Sequence, residues 1–124
     1  MIKNGIININ KATGWSSSDV VVKVRNILSR FYGEKVKVGH LGTLDPAAEG
    51  VLPVAVGKAT KLFDAYLKKN KRYRAGIIFG KTTDTLDREG KEITADENFV
   101  SVSKEQIEYA LSKFAGTIKQ VPPA

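Results

Sequence analysis

The chain has 124 residues, 42% of them hydrophobic, which suits one domain with its own core. Its 20 Lys and Arg against 13 Asp and Glu leave a net charge of +7, pointing to a polyanionic partner, with nucleic acid ahead of an anionic membrane. The absence of cysteine and the single histidine, His40, exclude disulfides, thiolate zinc and any metal site built from histidines, and no metal is expected.

The N-terminus lacks a basic segment followed by an apolar one, and no apolar run reaches membrane-spanning length. A soluble cytoplasmic protein without a membrane partner is expected. A basic but inert surface would have the same composition, so charge alone does not assign a function.

Residues 5–9 read as a strand through the β-branched Ile6, Ile7 and Ile9, and Gly14 marks a turn over residues 11–15. Ser16, Ser17 and Ser18 offer N-caps for a helix whose apolar positions Val20, Val21, Val24, Ile27, Leu28 and Phe31 follow helical spacing to Gly33. Residues 36–38 are a short strand candidate, and residues 39–50 form a loop. Residues 51–56 are strand-like, with Pro53 arguing for an edge or a bulge.

Residues 59–67 have helical spacing, residues 72–79 read as a strand ending at Gly80, and residues 82–90 are rich in turn formers. A short strand is expected at 92–94. Ser103 and Gln106 have capping-box spacing for a helix with Ile107, Ala110, Leu111 and Phe114 on its apolar face. Strands and helices mix without strict alternation, so the expected class is α/β or α+β, a mixed sheet with flanking helices. The stop at Gln120-Val121-Pro122-Pro123-Ala124, directly after a strand-like segment, reads as a cut rather than a natural end.

The most informative segment is Gly39-His40-Leu41-Gly42-Thr43-Leu44-Asp45-Pro46-Ala47-Ala48-Glu49-Gly50. Three glycines allow left-handed backbone or a close approach to a ligand, and Pro46 restricts Asp45 to extended geometry. A carboxylate is thus held on a constrained loop between two apolar segments, where catalytic groups tend to sit. Asp-Pro also initiates ordinary turns, and spacing alone favours that reading. His40 taken alone reads as a hydrogen-bonded structural histidine ahead of a general base. A phosphate-binding loop is excluded at Gly57-Lys58, because Ala59 stands where a hydroxyl is needed and Leu52 where a glycine is needed.

The same segment, with Gly50-Val51-Leu52-Pro53 and Gly57-Lys58-Ala59-Thr60-Lys61, closely resembles the catalytic signature of the TruB family of pseudouridine synthases. Four further segments resemble family motifs in the same order. They are Asn10-Lys11-Ala12-Thr13-Gly14-Trp15-Ser16-Ser17, Lys71-Arg72-Tyr73, Gly80-Lys81-Thr82-Thr83-Asp84-Thr85-Leu86-Asp87, and Gly116 with Gln120-Val121-Pro122-Pro123. Ala12 departs from the proline usual in the family. The chain is also shorter than family members.

The resemblance implies that residues 1–124 are the N-terminal part of a pseudouridine-synthase catalytic domain, without the rest of that domain or any C-terminal RNA-binding domain. The implied activity isomerises uridine to pseudouridine in RNA, foremost the T-loop uridine of tRNA, in a T-arm stem-loop, by base flipping and without a cofactor. Asp45 is the implied nucleophile, and Tyr73 is the second implied catalytic residue, stacking on the flipped base with its hydroxyl placed to assist proton transfer there. His40, Gly42, Thr43, Leu44, Lys11, Lys61 and Arg72 are the implied substrate-binding residues, and a monomer is the expected state. Two alternatives stay open: a non-catalytic RNA-binding piece, and a guide-RNA-dependent relative acting on ribosomal RNA.

Overall fold

A computed structural model describes residues 3–96 and 101–121. The chain falls into two units, Met1–Arg72 and Tyr73–Ala124. Both contain helices and antiparallel strands, so the class is α+β as the sequence implies.

The first unit is a three-stranded antiparallel sheet with strand order β1-β3-β2, covered by one long helix. Strand β1 (Gly5–Lys11) pairs along its whole length with β3 (Gly50–Val56), from Gly5 opposite Val56 to Lys11 opposite Gly50. It runs two residues beyond the expected 5–9. Strand β2 is Val38–His40, later than the expected 36–38, and pairs with Val54, Ala55 and Val56.

Helix α1 (Ser17–Tyr32) begins as the triple serine implies. Ser16 is the N-cap: its side chain accepts from the Asp19 amide while the Asp19 carboxylate accepts from the Ser16 amide and hydroxyl. The Ser16 hydrogen bonds hold the Asp19 carboxyl below its ordinary pKa. Gly33, at φ 67°, closes the other end in the left-handed conformation that stops helices at little steric cost. Val20, Val21 and Leu28 of α1 pack with Val36, Val38, Leu52, Val54 and Val56 to form the core, and Ile7, Ile9, Val24, Tyr32 and Leu44 close around it.

The expected edge or bulge at Pro53 is corrected, because β3 is the central strand. The register places Pro53 opposite Leu41 on the β2 side, where Leu41 N–H donates to the Pro53 carbonyl at 2.8 Å. An antiparallel hydrogen-bonded pair needs a second bond from the opposing N–H, which proline lacks. The missing donor thus falls where β2 stops, and the chain leaves the sheet into the loop over residues 41–49.

After β3 come a 3₁₀ turn (Gly57–Leu62) and a short helix α2 (Phe63–Leu67), dividing the helix expected over 59–67. In the second unit, strands β4 (Lys81–Thr83) and β5 (Glu92–Ala95) form a hairpin, and α3 (Lys104–Ser112) follows with Ser103 and Gln106 making the expected capping box. Strand β4 lies partly in what reads as a turn. The strand expected over 72–79 does not form among the described residues. Tyr73, Ile77 and Ile78 are exposed there, and an extended segment gains a ladder only from a neighbouring strand. The closing Pro122-Pro123-Ala124 lies outside the described residues.

Candidate active site

The site grows from the end of β1. Side chains alternate across a strand, so Ile7, Ile9 and Lys11 share the face turned to the core. Lys11 is therefore buried, with only 1% of its surface exposed. Its ammonium donates to the carbonyls of Trp15 (2.7 Å), Ala12 (3.1 Å) and Pro46 (3.4 Å). Gly14 turns the chain at φ 85° and donates its N–H to the same Pro46 carbonyl at 2.8 Å. Lys11 is thus neither a surface lysine nor open to solvent; it ties the turn after β1 to the loop that carries Asp45.

The loop is held from the other side by Ser17, the first residue of α1. Its hydroxyl accepts from the Leu44 N–H at 2.9 Å and donates to the Leu44 carbonyl at 3.0 Å, across 27 residues of sequence. The Leu44 side chain packs against the core. Asp45 lies between these anchors. Its carbonyl accepts from the Ala48 N–H at 3.0 Å, closing a turn, so Asp45-Pro46 does initiate one. Its carboxylate is exposed and makes no hydrogen bond or ion pair among the described residues.

The other implied residues differ in depth. His40 is half-buried at the end of β2, and its buried Nδ1 has no hydrogen-bond partner among the described residues. Gly42 has open space where a Cβ would stand and is outside the left-handed region, so nothing within this chain requires a glycine there. Thr43 is exposed. Lys61 is exposed in the 3₁₀ turn, Arg72 is exposed at the end of the first unit, and no hydrogen bond among the described residues ties either to the loop. Nearby cations are partly engaged with the end of α2. Lys71 donates to the Leu67 carbonyl at 2.9 Å, and the Lys69 ammonium lies 4.7 Å from the Tyr66 ring centre. Tyr73 opens the second unit and is 67% exposed.

Hydrogen bonds therefore tie the residues flanking Asp45 to the first unit, Leu44 to Ser17 and Pro46 to Lys11 and Gly14, and so add Gly14 and Ser17, which the sequence alone did not assign to the site. The signal for Lys11's burial is its parity with Ile7 and Ile9. Ser17 has no equivalent local signal, because its partner lies far along the chain.

A family model for the N-terminal domain of TruB family pseudouridylate synthases matches residues 28–124. The chain belongs to the TruB family. It is 48% identical over 120 residues to tRNA pseudouridine synthase B of Clostridium perfringens (strain 13), covering 97% of this chain and 39% of that protein. Its identity to the tRNA pseudouridine synthase B of Fusobacterium nucleatum is 51% over 119 residues, covering 96% of this chain and 39% of the relative. The protein of that name from Nostoc sp. is 46% identical over 119 residues, with 96% and 38% covered. The chain thus spans about two fifths of the length of these TruB relatives. Among the described residues there is no cluster suited to a metal ion, and no helix is long and apolar enough to cross a membrane.

Proposed function

We propose that this TruB segment carries the nucleophile of a tRNA pseudouridine synthase acting in the cytoplasm on the T-loop uridine of tRNA. One observation carries the reading: the exposed carboxylate of Asp45 is uncommitted, while Leu44 on one side and Pro46 on the other are tied to the body of the first unit. A nucleophile needs an ionised, accessible carboxylate and a fixed direction of approach.

In the isomerisation the N1–C1′ glycosidic bond of the uridine breaks and a C5–C1′ bond forms. C5 loses its proton and N1 gains one, so nothing is oxidised and no external reductant is required. The target base is stacked in RNA and must be turned out, at a cost of a few kcal/mol that protein contacts offset. The Asp45 carboxylate acts on the extruded nucleotide, and Tyr73 stacks on the base. The open space over Gly42 suits close approach of the nucleotide to the backbone, and His40 lies beside it on β2. Lys61 and Arg72 contribute positive charge for the phosphates. Lys11 serves the site as a brace.

The test uses the full-length natural protein with a T-arm stem-loop RNA, reading pseudouridine by mass-resolved labelling and RNA affinity by gel shift. Asp45→Asn is expected to abolish turnover and leave affinity within about threefold, because the charge lost is one among many and is not an RNA-attracting one. Turnover at the parental rate in Asp45→Asn would remove Asp45 from the reaction.

A further inference from the structure

We propose that Ser17 is a positioning residue for Asp45, fixing the peptide plane on its N-terminal side; this rests on the reading of Asp45 as the nucleophile. The direction of the Asp45 side chain is set by the two peptide planes that meet at its Cα. The plane on the C-terminal side contains the Asp45 carbonyl, which the Ala48 N–H holds at 3.0 Å. The plane on the N-terminal side contains the Leu44 carbonyl, which accepts from the Ser17 hydroxyl at 3.0 Å. The same hydroxyl accepts from the Leu44 N–H at 2.9 Å, so both polar backbone groups of the residue before Asp45 end on one oxygen atom.

The chemistry of that oxygen is specific. A hydroxyl has one proton to give and two lone pairs to receive, so it alone among small side chains serves an N–H and a C=O together. Ser17 is 3% exposed, so water does not compete for these two bonds. Its neighbour Ser16 already caps α1, so the Ser17 hydroxyl is not needed by the helix start. Because it stands at the first position of a 16-residue helix packed on the sheet, its location is fixed by the core rather than by the loop. Ser17 thus carries the rigidity of α1 to the peptide before Asp45.

The experiment measures the tether and its consequence separately, in the full-length natural protein. Amide hydrogen exchange by NMR reads Leu44 against Val54 and Val56 of the central strand. Steady-state kinetics on the T-arm stem-loop give kcat and KM. In Ser17→Ala, Leu44 exchange is expected to rise at least about tenfold relative to the strand amides. In the same variant kcat is expected to fall about 10- to 100-fold, with KM within about twofold, since a misplacement near 1 Å costs about that much. Ser17→Thr, which keeps the hydroxyl, restores most of both. A variant whose stability alone had dropped would raise exchange at Leu44, Val54 and Val56 together and would leave kcat of the folded fraction unchanged. Should Ser17→Ala not fold, Ser17→Cys, close in volume with a weak donor and acceptor, replaces it with the same expectations.

Unchanged Leu44 exchange in Ser17→Ala would overturn the tether itself. Faster exchange at Leu44 with parental kcat would overturn its role in positioning. Asp45→Asn run alongside keeps the two readings apart: if that variant turns over, the nucleophile assignment fails whatever Ser17 does.

Discussion

Lys11→Met removes three ammonium donors and keeps an unbranched stem of similar length, so the perturbation is confined to the hydrogen bonds. Two of those bonds, to Trp15 at 2.7 Å and Ala12 at 3.1 Å, have good length, and the third, to Pro46 at 3.4 Å, is marginal. Bonds to charged groups contribute about 1.5–3 kcal/mol each, so the two good ones give a gross loss of about 3–6 kcal/mol. Against this, methionine does not have to strip water from a buried charge, which returns a few kcal/mol. The net loss is about 2 kcal/mol. With a urea slope near 1 kcal/mol/M for a unit of this size, the midpoint falls by about 2 M. The single tryptophan, Trp15, supplies the probe, since its own carbonyl is one of the three acceptors; far-UV circular dichroism follows α1 in parallel. RNA affinity of the folded protein is expected to stay within about threefold, because a buried ammonium is not available to a phosphate. A midpoint within about 0.3 M of the parent, joined to a large loss of RNA affinity, would refute the brace and reinstate Lys11 as a substrate contact.

Two further outcomes follow from backbone and carboxylate geometry. Gly57 has φ 62° at the end of β3, and a Cβ there would run into the Asn4 side chain and the Lys3 carbonyl, where Asn4 receives the Lys58 N–H at 2.8 Å. Gly57→Ala should lower stability by about 2 kcal/mol or more, read as a drop in Tm on the order of 10 °C; an unchanged Tm would show that this turn relaxes freely. In the second unit, hydrogen bonds from the Thr85 hydroxyl first and the Glu89 amide next hold the Asp87 carboxyl below its ordinary pKa. A depressed folded pKa means that the turn's stabilisation is complete above the unfolded value and is lost as pH falls through the lower, folded one. The Glu89 and Gly90 amide resonances should therefore titrate with a midpoint below about pH 4, a step that Asp87→Asn abolishes. A step centred above pH 4 would contradict these bonds.

How far the sequence reaches is visible in individual residues. Helix α1 was legible at both ends because its signals are local: a serine cap with Asp19 three residues on, and a glycine free to turn left-handed. Stopping β1 at Ile9 hid Lys11, since a lysine does not look like a strand residue. Continuing the alternation Ile7, Ile9, Lys11 places it on the buried face. Pro53 misled because the rule against proline in a central strand assumes a partner strand on whichever side the N–H would point, and β2 ends where that donor would be used. The segment over 72–79 has β-forming residues, but strand formation needs a partner, and propensity does not say whether one is within reach. The motif around Asp45 was legible by resemblance, whereas the Ser17 tether depends on a meeting of residues 27 apart, which no local pattern encodes.

The two readings of Asp45, turn former and nucleophile, are compatible for a physical reason that other aspartates of the chain bring out. An aspartate in a turn or cap usually spends its carboxylate on nearby donors. Asp19 gives its carboxylate to the Ser16 amide and hydroxyl, Asp84 to the Lys91 amide, and Asp87 to Thr85, Glu89 and Gly90. Asp45 closes its turn with the main-chain carbonyl instead. The residue after it is Pro46, which has no N–H to offer, and the amides on either side of the turn are directed to other acceptors: Leu44 to Ser17, and Ala48 to the Asp45 carbonyl. The loop thus has the backbone economy of a turn while its acid is left over. An Asp-Pro pair read from sequence does not distinguish a spent carboxylate from a spare one; the difference lies in which acceptors the neighbouring donors take, and here the Leu44 and Ala48 amides take others.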